Sequence, residues 1–155
     1  MDIVQEYYGG SKTPKSKKWY IKGKENDEGL LKQEEYNNNG IIVIQKYFKE
    51  GKLHKDFNEP AFICYNKDGT ISSQIWFKDG NEHRDNEPAF IYYNENGKIL
   101  SQGWYKDGVQ YIPNEVKSVG TIIDNYKQKE KQYFDNKCPH CKCDIKLTYT
   151  IVKED

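Results

Sequence analysis

Between residues 40 and 110 the apolar positions fall in short runs that repeat in a fixed frame. Residues 58–69 read NEPAFICYNKDG, and residues 86–97 read NEPAFIYYNENG, 28 positions later. The match continues from TISSQIWFKDG at 70–80 to KILSQGWYKDG at 98–108. An aromatic pair followed by x-x-Gly occurs four times, at Trp19-Tyr20, Tyr47-Phe48, Trp76-Phe77 and Trp104-Tyr105, with starts 28, 29 and 28 residues apart. Repetition at one period marks an array in which neighbouring units share a core.

Each unit reads as a β-hairpin. Asn66-Lys67-Asp68-Gly69 and Asn94-Glu95-Asn96-Gly97 are turn sequences, with Gly supplying the positive φ that a type I turn plus bulge needs. Ala61–Tyr65 with Ile71–Phe77, and Ala89–Tyr93 with Ile99–Tyr105, supply the β-branched and aromatic flanks. Lys-Asp-Gly at 78–80 and 106–108 predicts a similar turn after the second strand. His54-Lys55-Asp56 and His83-Arg84-Asp85 then lead through Pro60 and Pro88 into the next unit, prolines that suit a strand start.

With three-residue turns centred on Asp68 and Asn96, Tyr65 faces Ile71, Ile63 faces Ser73 and Ala61 faces Ile75. Tyr93 with Ile99, Ile91 with Ser101 and Ala89 with Gly103 are the equivalents. The other surface then carries Phe62, Cys64, Gln74 and Trp76, followed by Phe90, Tyr92, Gln102 and Trp104. Neither face alternates cleanly, which predicts a twisted meander that curls or is covered on one side. The rings Tyr47, Trp76 and Trp104 recur at equivalent positions, so stacking inside the core is the preferred reading. The functional reading makes Tyr47, Phe62, Trp76, Phe90, Tyr92 and Trp104 an aromatic groove for a protein partner. Exposure of Trp76 and Trp104 separates the two.

Composition tests whether such a core can exist. The 155 residues include only 32 Leu, Ile, Val and Phe, close to the border of disorder. Against disorder stand 22 aromatics and 24 acidic residues that cancel 24 basic ones. Zero net charge makes whole-protein steering to nucleic acid or anionic membrane unfavourable. No run approaches the ~20 apolar residues of a membrane span, and Met1–Glu6 does not read as a signal peptide, so an intracellular location is expected. The bases are 23 Lys and the single Arg84. With abundant Asn, Ile and Tyr, this points to an AT-rich genome, that of a microbe or a large DNA virus, where the compartment would be host cytoplasm or virion.

The pattern Y-x-x-x-G-x(6)-W-[YF]-x-x-G, with its H-[KR]-D link and E-P-A-F strand start, resembles MORN-variant repeats over roughly residues 14–112. Similar repeats occur in bacterial antitoxin-like proteins and in expanded sets in large DNA viruses. The resemblance implies a single-layer run of antiparallel hairpins serving as an interaction scaffold. The 28–29 residue period is longer than that of the commonest MORN repeat.

The first copy is degenerate. Around it, Lys12, Lys15, Lys17, Lys18, Lys22 and Lys24 give six bases and no acid within residues 11–24. With Trp19 and Tyr20 they form a candidate nucleic-acid contact. The preferred reading is a solvated edge, where Lys discourages strand-to-strand pairing.

Beyond the repeats the pattern changes. Val116, Val119, Ile122, Ile123, Tyr126 and Tyr133 predict one α-helix within 113–136, with Asn114 as N-cap, acting as cap, linker or dimer contact. Residues 137–155 hold Cys138-Pro139-His140-Cys141-Lys142-Cys143 and an alternating strand pattern. The C-P-x-C turn resembles one knuckle of a zinc ribbon, with Cys138, Cys141, Cys143 and His140 as candidate ligands. One knuckle supplies two ligands of the four a structural zinc needs, so His140, a distant His or a second chain must complete the site. The same Cys-Pro-His-Cys could be a redox pair, but that chemistry needs a strand before it and a helix after it.

The expected fold is therefore mainly β: a repeat domain over 1–112, a helix over 113–136 and a Cys-rich knuckle with a strand over 137–155. His83-Arg84-Asp85 resembles a kinase loop only in isolation, since its copy His54-Lys55-Asp56 marks it as a structural link. No P-loop, G-x-S-x-G or H-E-x-x-H is present. A non-enzymatic scaffold for protein partners is the expectation. The alternatives are a nucleic-acid-associated zinc-knuckle protein and a thiol-disulfide oxidoreductase.

Overall fold

The computed structural model describes residues 1–10, 12–24 and 29–113. The helix expected over 113–136 and the knuckle over 137–155 lie outside the described residues, apart from Pro113. What is described is β structure in twelve strands, with no α-helix among the described residues. In chain order they are β1 (Asp2–Tyr7), β2 (Pro14–Tyr20), β3 (Leu30–Tyr36), β4 (Ile42–Lys49), β5 (Lys52–Leu53) and β6 (Phe62–Tyr65). There follow β7 (Ile71–Ile75), β8 (Phe77–Lys78), β9 (Asn81–Glu82), β10 (Phe90–Tyr93), β11 (Ile99–Lys106) and β12 (Val109–Tyr111).

Ten of these strands form one antiparallel, meander-like sheet in the order β1-β2-β3-β4-β6-β7-β10-β11-β12, with β5 beside the end of β4. β8 and β9 make a separate two-stranded ribbon. Each repeat thus contributes a long hairpin to the main sheet and ends in a short one, which at β8-β9 is separate from that sheet.

The two hairpins use different turns, which corrects the expectation that they are alike. At 66–69 the Gly69 N–H donates to the Asn66 carbonyl at 3.0 Å and the Asn66 N–H to the Thr70 carbonyl at 2.8 Å. With φ +86° at Gly69, this is the type I turn with a glycine bulge. At 79–80 both Asp79 and Gly80 have positive φ, +50° and +87°, between the paired Lys78 and Asn81. That is a type I′ turn, whose twist matches a two-residue hairpin.

The register also departs from the expected one. Tyr65 faces Ile71 and Tyr93 faces Ile99, as expected. The ladder then slips by one, so that Cys64 faces Ser73, Ile63 faces Gln74 and Phe62 faces Ile75. Tyr92 likewise faces Ser101, and Phe90 faces Gly103. The skipped residues are Ser72 and Leu100, each a second bulge just past the turn. The same slip occurs at Glu35/Tyr36 and at Trp19/Tyr20. Because side chains alternate with a period of two, one slip moves every later residue to the other face.

As a result Phe62, Cys64, Ser73, Ile75, Phe90 and Tyr92 share a face with Ile44. This is the core side. Ile44, Ala61, Phe62, Cys64, Ile75 and Phe77 form a buried cluster, with Val43, Leu53, Phe90 and Tyr92 packed against it. Phe77 and Leu53 come from the short hairpins, which therefore fold over this face and close it. Aliphatic scarcity is met by rings and by Ala61 and Ala89, both without solvent exposure.

Candidate functional site

The repeats meet through their short hairpins and links. The Gly80 N–H donates to the Leu53 carbonyl and the Gly108 N–H to the Glu82 carbonyl, both at 2.9 Å, so each type I′ turn rests on the hairpin before it. The link histidine fastens the same turn. The Asp79 N–H donates to His54 Nδ1 at 3.0 Å, and His54 Nε2 faces Asp56 Oδ1 at 2.9 Å. In the following repeat the Asp107 N–H donates to His83 Nδ1 at 3.1 Å, while Nε2 stands 3.5 Å from Asp85. The His-x-Asp sequence is thus a junction between units, and both histidine side chains are about nine-tenths buried. The hydrogen bond from His54 to Asp56 holds that carboxyl below the usual range.

The base of the link has a different partner. Lys55 Nζ pairs with Glu59 at 2.6 Å and lies 3.7 Å from the centre of the Tyr47 ring. Arg84 pairs with Glu87, stacks 3.8 Å from the Trp76 ring and donates through Nε to Asn58 Oδ1 at 2.9 Å. Trp76 Nε1 in turn donates to the Asn58 carbonyl at 2.8 Å. Each link therefore lays a cation on the leading ring of the repeat before it. Such stacking contributes most when the cation is shielded from water, as Arg84 is.

Of the six aromatic residues that could line a partner groove, Trp76 and Trp104 are 6% and 9% exposed and Phe62 is 3% exposed. Tyr47, Phe90 and Tyr92 are half-buried. Phe90 packs against Tyr92 and Tyr105, at centroid distances of 5.2 and 6.0 Å. Phe62, Phe90 and Tyr92 lie on the core face. Tyr47 and Trp76 are the rings on which Lys55 and Arg84 stack. The exposure of the two tryptophans is that of packed rings.

The face opposite the core mixes polar and apolar side chains in an order set by the repeat. Glu34, Gln45, Ile63, Gln74, Ile91 and Gln102 follow one another across the strands. Tyr65 donates to Gln45 at 2.5 Å and Tyr93 to Gln74 at 3.0 Å, the same contact one repeat apart. In the degenerate copy the ammonium of Lys17 sits 5.4 Å from the Tyr36 ring instead. Glu34 is 6% exposed. Its burial pushes its carboxyl upward, but hydrogen bonds from Lys32, Tyr36 and Gln45 outweigh that and hold it below the usual range. Burial and the bond to Glu34 push the Tyr36 hydroxyl well above its usual range.

The basic segment is divided by the same alternation. Lys17 and Lys18 lie on opposite faces of β2, opposite Glu34 and Gln33 of β3. Cys64 is fully buried in the core, a packed thiol. Cys138, His140, Cys141 and Cys143 lie outside the described residues. Among the described residues no three His, Cys, Asp or Glu side chains are grouped to hold a metal ion. Among the same residues, no helix is long and apolar enough to cross a membrane.

Two features stand outside the sequence-predicted set. Glu82 is buried at 8% exposure, and burial pushes its carboxyl up to about 7. Phe57, at 95% exposure, is the most exposed large apolar side chain among the described residues. Aligning the two links would have singled out both. Glu82 occupies the place of Leu53, and Phe57 has no counterpart between Asp85 and Asn86. No protein-family model, curated protein or solved structure matches the chain.

Proposed function

We propose that this protein is a non-enzymatic β-repeat scaffold that binds other proteins, of the kind the MORN-variant resemblance implies. The observation that carries the reading is where the chemistry-bearing side chains go. The link histidines, aspartates and cations, which could have formed a reacting constellation, are spent on joining one repeat to the next. The array instead offers an extended sheet face of mixed glutamine and isoleucine rows and loops projecting from fixed junctions, surfaces suited to docking partners. In the same reading Cys138, His140, Cys141 and Cys143 serve as a zinc knuckle completed by a second chain. Metal analysis of purified wild type and Cys138→Ser tests that part.

The scaffold reading is tested by capture from cells encoding the chain, followed by reconstitution with the purified captured protein. A one-to-one or fixed-ratio complex is expected. Absence of any reconstituted complex, together with turnover of a small-molecule substrate, would overturn it.

A further inference from the structure

The two links between repeats differ by one residue. His54-Lys55-Asp56-Phe57-Asn58-Glu59-Pro60 and His83-Arg84-Asp85-Asn86-Glu87-Pro88 share every other position, allowing Lys for Arg. Asn58 and Asn86 both adopt left-handed φ, +56° and +60°, a conformation Asn tolerates. The second link therefore completes the same connection without an additional residue. The additional residue is Phe57, and it too has left-handed φ, +63°, where a bulky side chain is disfavoured.

Single exposed apolar residues are ordinary on protein surfaces. Phe57 differs in that its backbone is strained, its ring is 95% exposed and both neighbours are tied down. Asp56 is bonded to His54 at 2.9 Å. Asn58 accepts from Trp76 Nε1 and from Arg84 Nε, and donates to Glu87 at 3.1 Å. The ring is thus presented from a pre-organised platform, the condition under which an aromatic anchor binds at low ordering cost. The most exposed charged groups beside it are carboxylates, although Glu59 and Glu87 are paired with Lys55 and Arg84 and the exposed Lys49 acts on Asp56. The Asp56, Glu59 and Glu87 side chains are 62%, 54% and 51% exposed, whereas Lys55 and Arg84 are drawn back onto rings at 25% and 14%.

We propose that Phe57 is the anchor of a protein–protein interface, entering an apolar pocket rimmed by Lys and Arg on the partner. The carboxylates lie outermost around the ring, and this favours such a rim over an anionic lipid surface. The inference rests on the scaffold reading and specifies the surface that reading uses.

The test uses the full chain and the purified protein that it captures from cells encoding it. Phe57→Ala, and deletion of Phe57 to give the shorter link, are each expected to weaken the dissociation constant by about 30-fold or more. Thermal melting of both variants is expected to be unchanged or raised. Glu59→Gln is expected to slow association and to flatten its salt dependence. Unchanged affinity in both Phe57 variants overturns the inference while leaving the scaffold reading intact, and absence of any partner overturns both. A lowered melting temperature in both variants also overturns it, because the ring would then be structural. So does Phe57-dependent binding to phosphatidylserine vesicles, or a Phe57-dependent dimer of this chain alone.

Discussion

Residues 61–80 and 89–108 carry nearly the same sequence on the same hairpin frame, yet they fill the space around it differently. In the earlier unit Ile75 is fully buried between Phe62 and Phe90 on the neighbouring strands. Its counterpart is Gly103, above which the Phe90 ring lies. Leu53 packs against the core from the first short hairpin, while Glu82 occupies that place in the second. The backbone hydrogen bonds survive both exchanges, since Leu53 and Glu82 each accept the N–H of the next turn. The frame is thus held by turns and ladders. Side-chain identity sets how well each copy is filled, and the two can be separated by substitution.

The largest effect is expected at Glu82. Burial alone pushes its carboxyl from an ordinary 4.5 up to about 7, so the folded state holds a proton that the unfolded chain releases. The resulting stability is fully present below pH 4.5, declines as pH rises and is gone above about pH 7. That difference corresponds to about 3 kcal/mol. Glu82→Leu, which copies Leu53, is expected to raise stability by about that amount at pH 8 and to abolish the decline between pH 4.5 and 7. Urea titrations at pH 4, 6 and 8 check this. A variant with the same pH profile as wild type would show that the decline originates elsewhere.

Next come the histidines. His54→Ala strips the Asp79 turn of an acceptor and Asp56 of its partner, both around a nearly buried ring. A cost of about 2 kcal/mol is expected. His83→Ala is expected to cost about half of that, because its Nε2 has no hydrogen bond among the described residues. Equal costs in denaturant would mean that the turn amide contributes nearly everything and the link aspartate little.

A third substitution tests the filling of the later unit. A Cβ at Gly103 would lie 2.3 Å from Phe90 Cε1, far inside contact distance. Gly103→Ala is expected to destabilise by about 1.5 kcal/mol, and Gly103→Ile, which restores the repeat's own residue, by more. Phe90→Leu should relieve part of the cost, a coupling that a double-mutant cycle would read. Additive effects would show that the ring moves aside freely.

The hairpins, their period and their first turns are legible in the sequence because glycine and aromatic residues stand at positions that backbone geometry restricts. Tyr65 opposite Ile71 follows directly from the Asn-Lys-Asp-Gly turn. The slip one residue later does not, because the skipped residues are Ser72 in one copy and Leu100 in the next. They share no side-chain chemistry, and the bulge is a property of the backbone. The junctions are hidden for another reason. His54 bonds a turn 25 residues away, and only the repeated His-x-Asp spacing hints that it is structural. The preference for packed over exposed tryptophans follows from the thin core, which could not leave such rings idle. Phe57 is visible only when the two links are aligned with a gap, since a lone Phe in a polar stretch carries no periodic signal.

The smallest effect concerns the cation that each link lays on a ring. Lys55 and Arg84 lie 3.7 and 3.8 Å from the Tyr47 and Trp76 ring centres, so distance alone does not distinguish them. What does is the fork of Arg84, which also donates to Asn58 and to the Pro88 carbonyl. Lysine is a point charge that cannot stack flat and reach two acceptors at once. Arg84→Lys is therefore expected to cost about 1 kcal/mol, whereas Lys55→Arg should change stability by only a few tenths. Both differences should persist at 0.5 M NaCl, because the cations are shielded against the rings rather than exposed to counter-ions. Equal effects at the two links would mean that charge over the ring is all the junction requires. Loss of the Arg84 effect in salt would place its contribution in the exposed pair with Glu87 instead of in the stack.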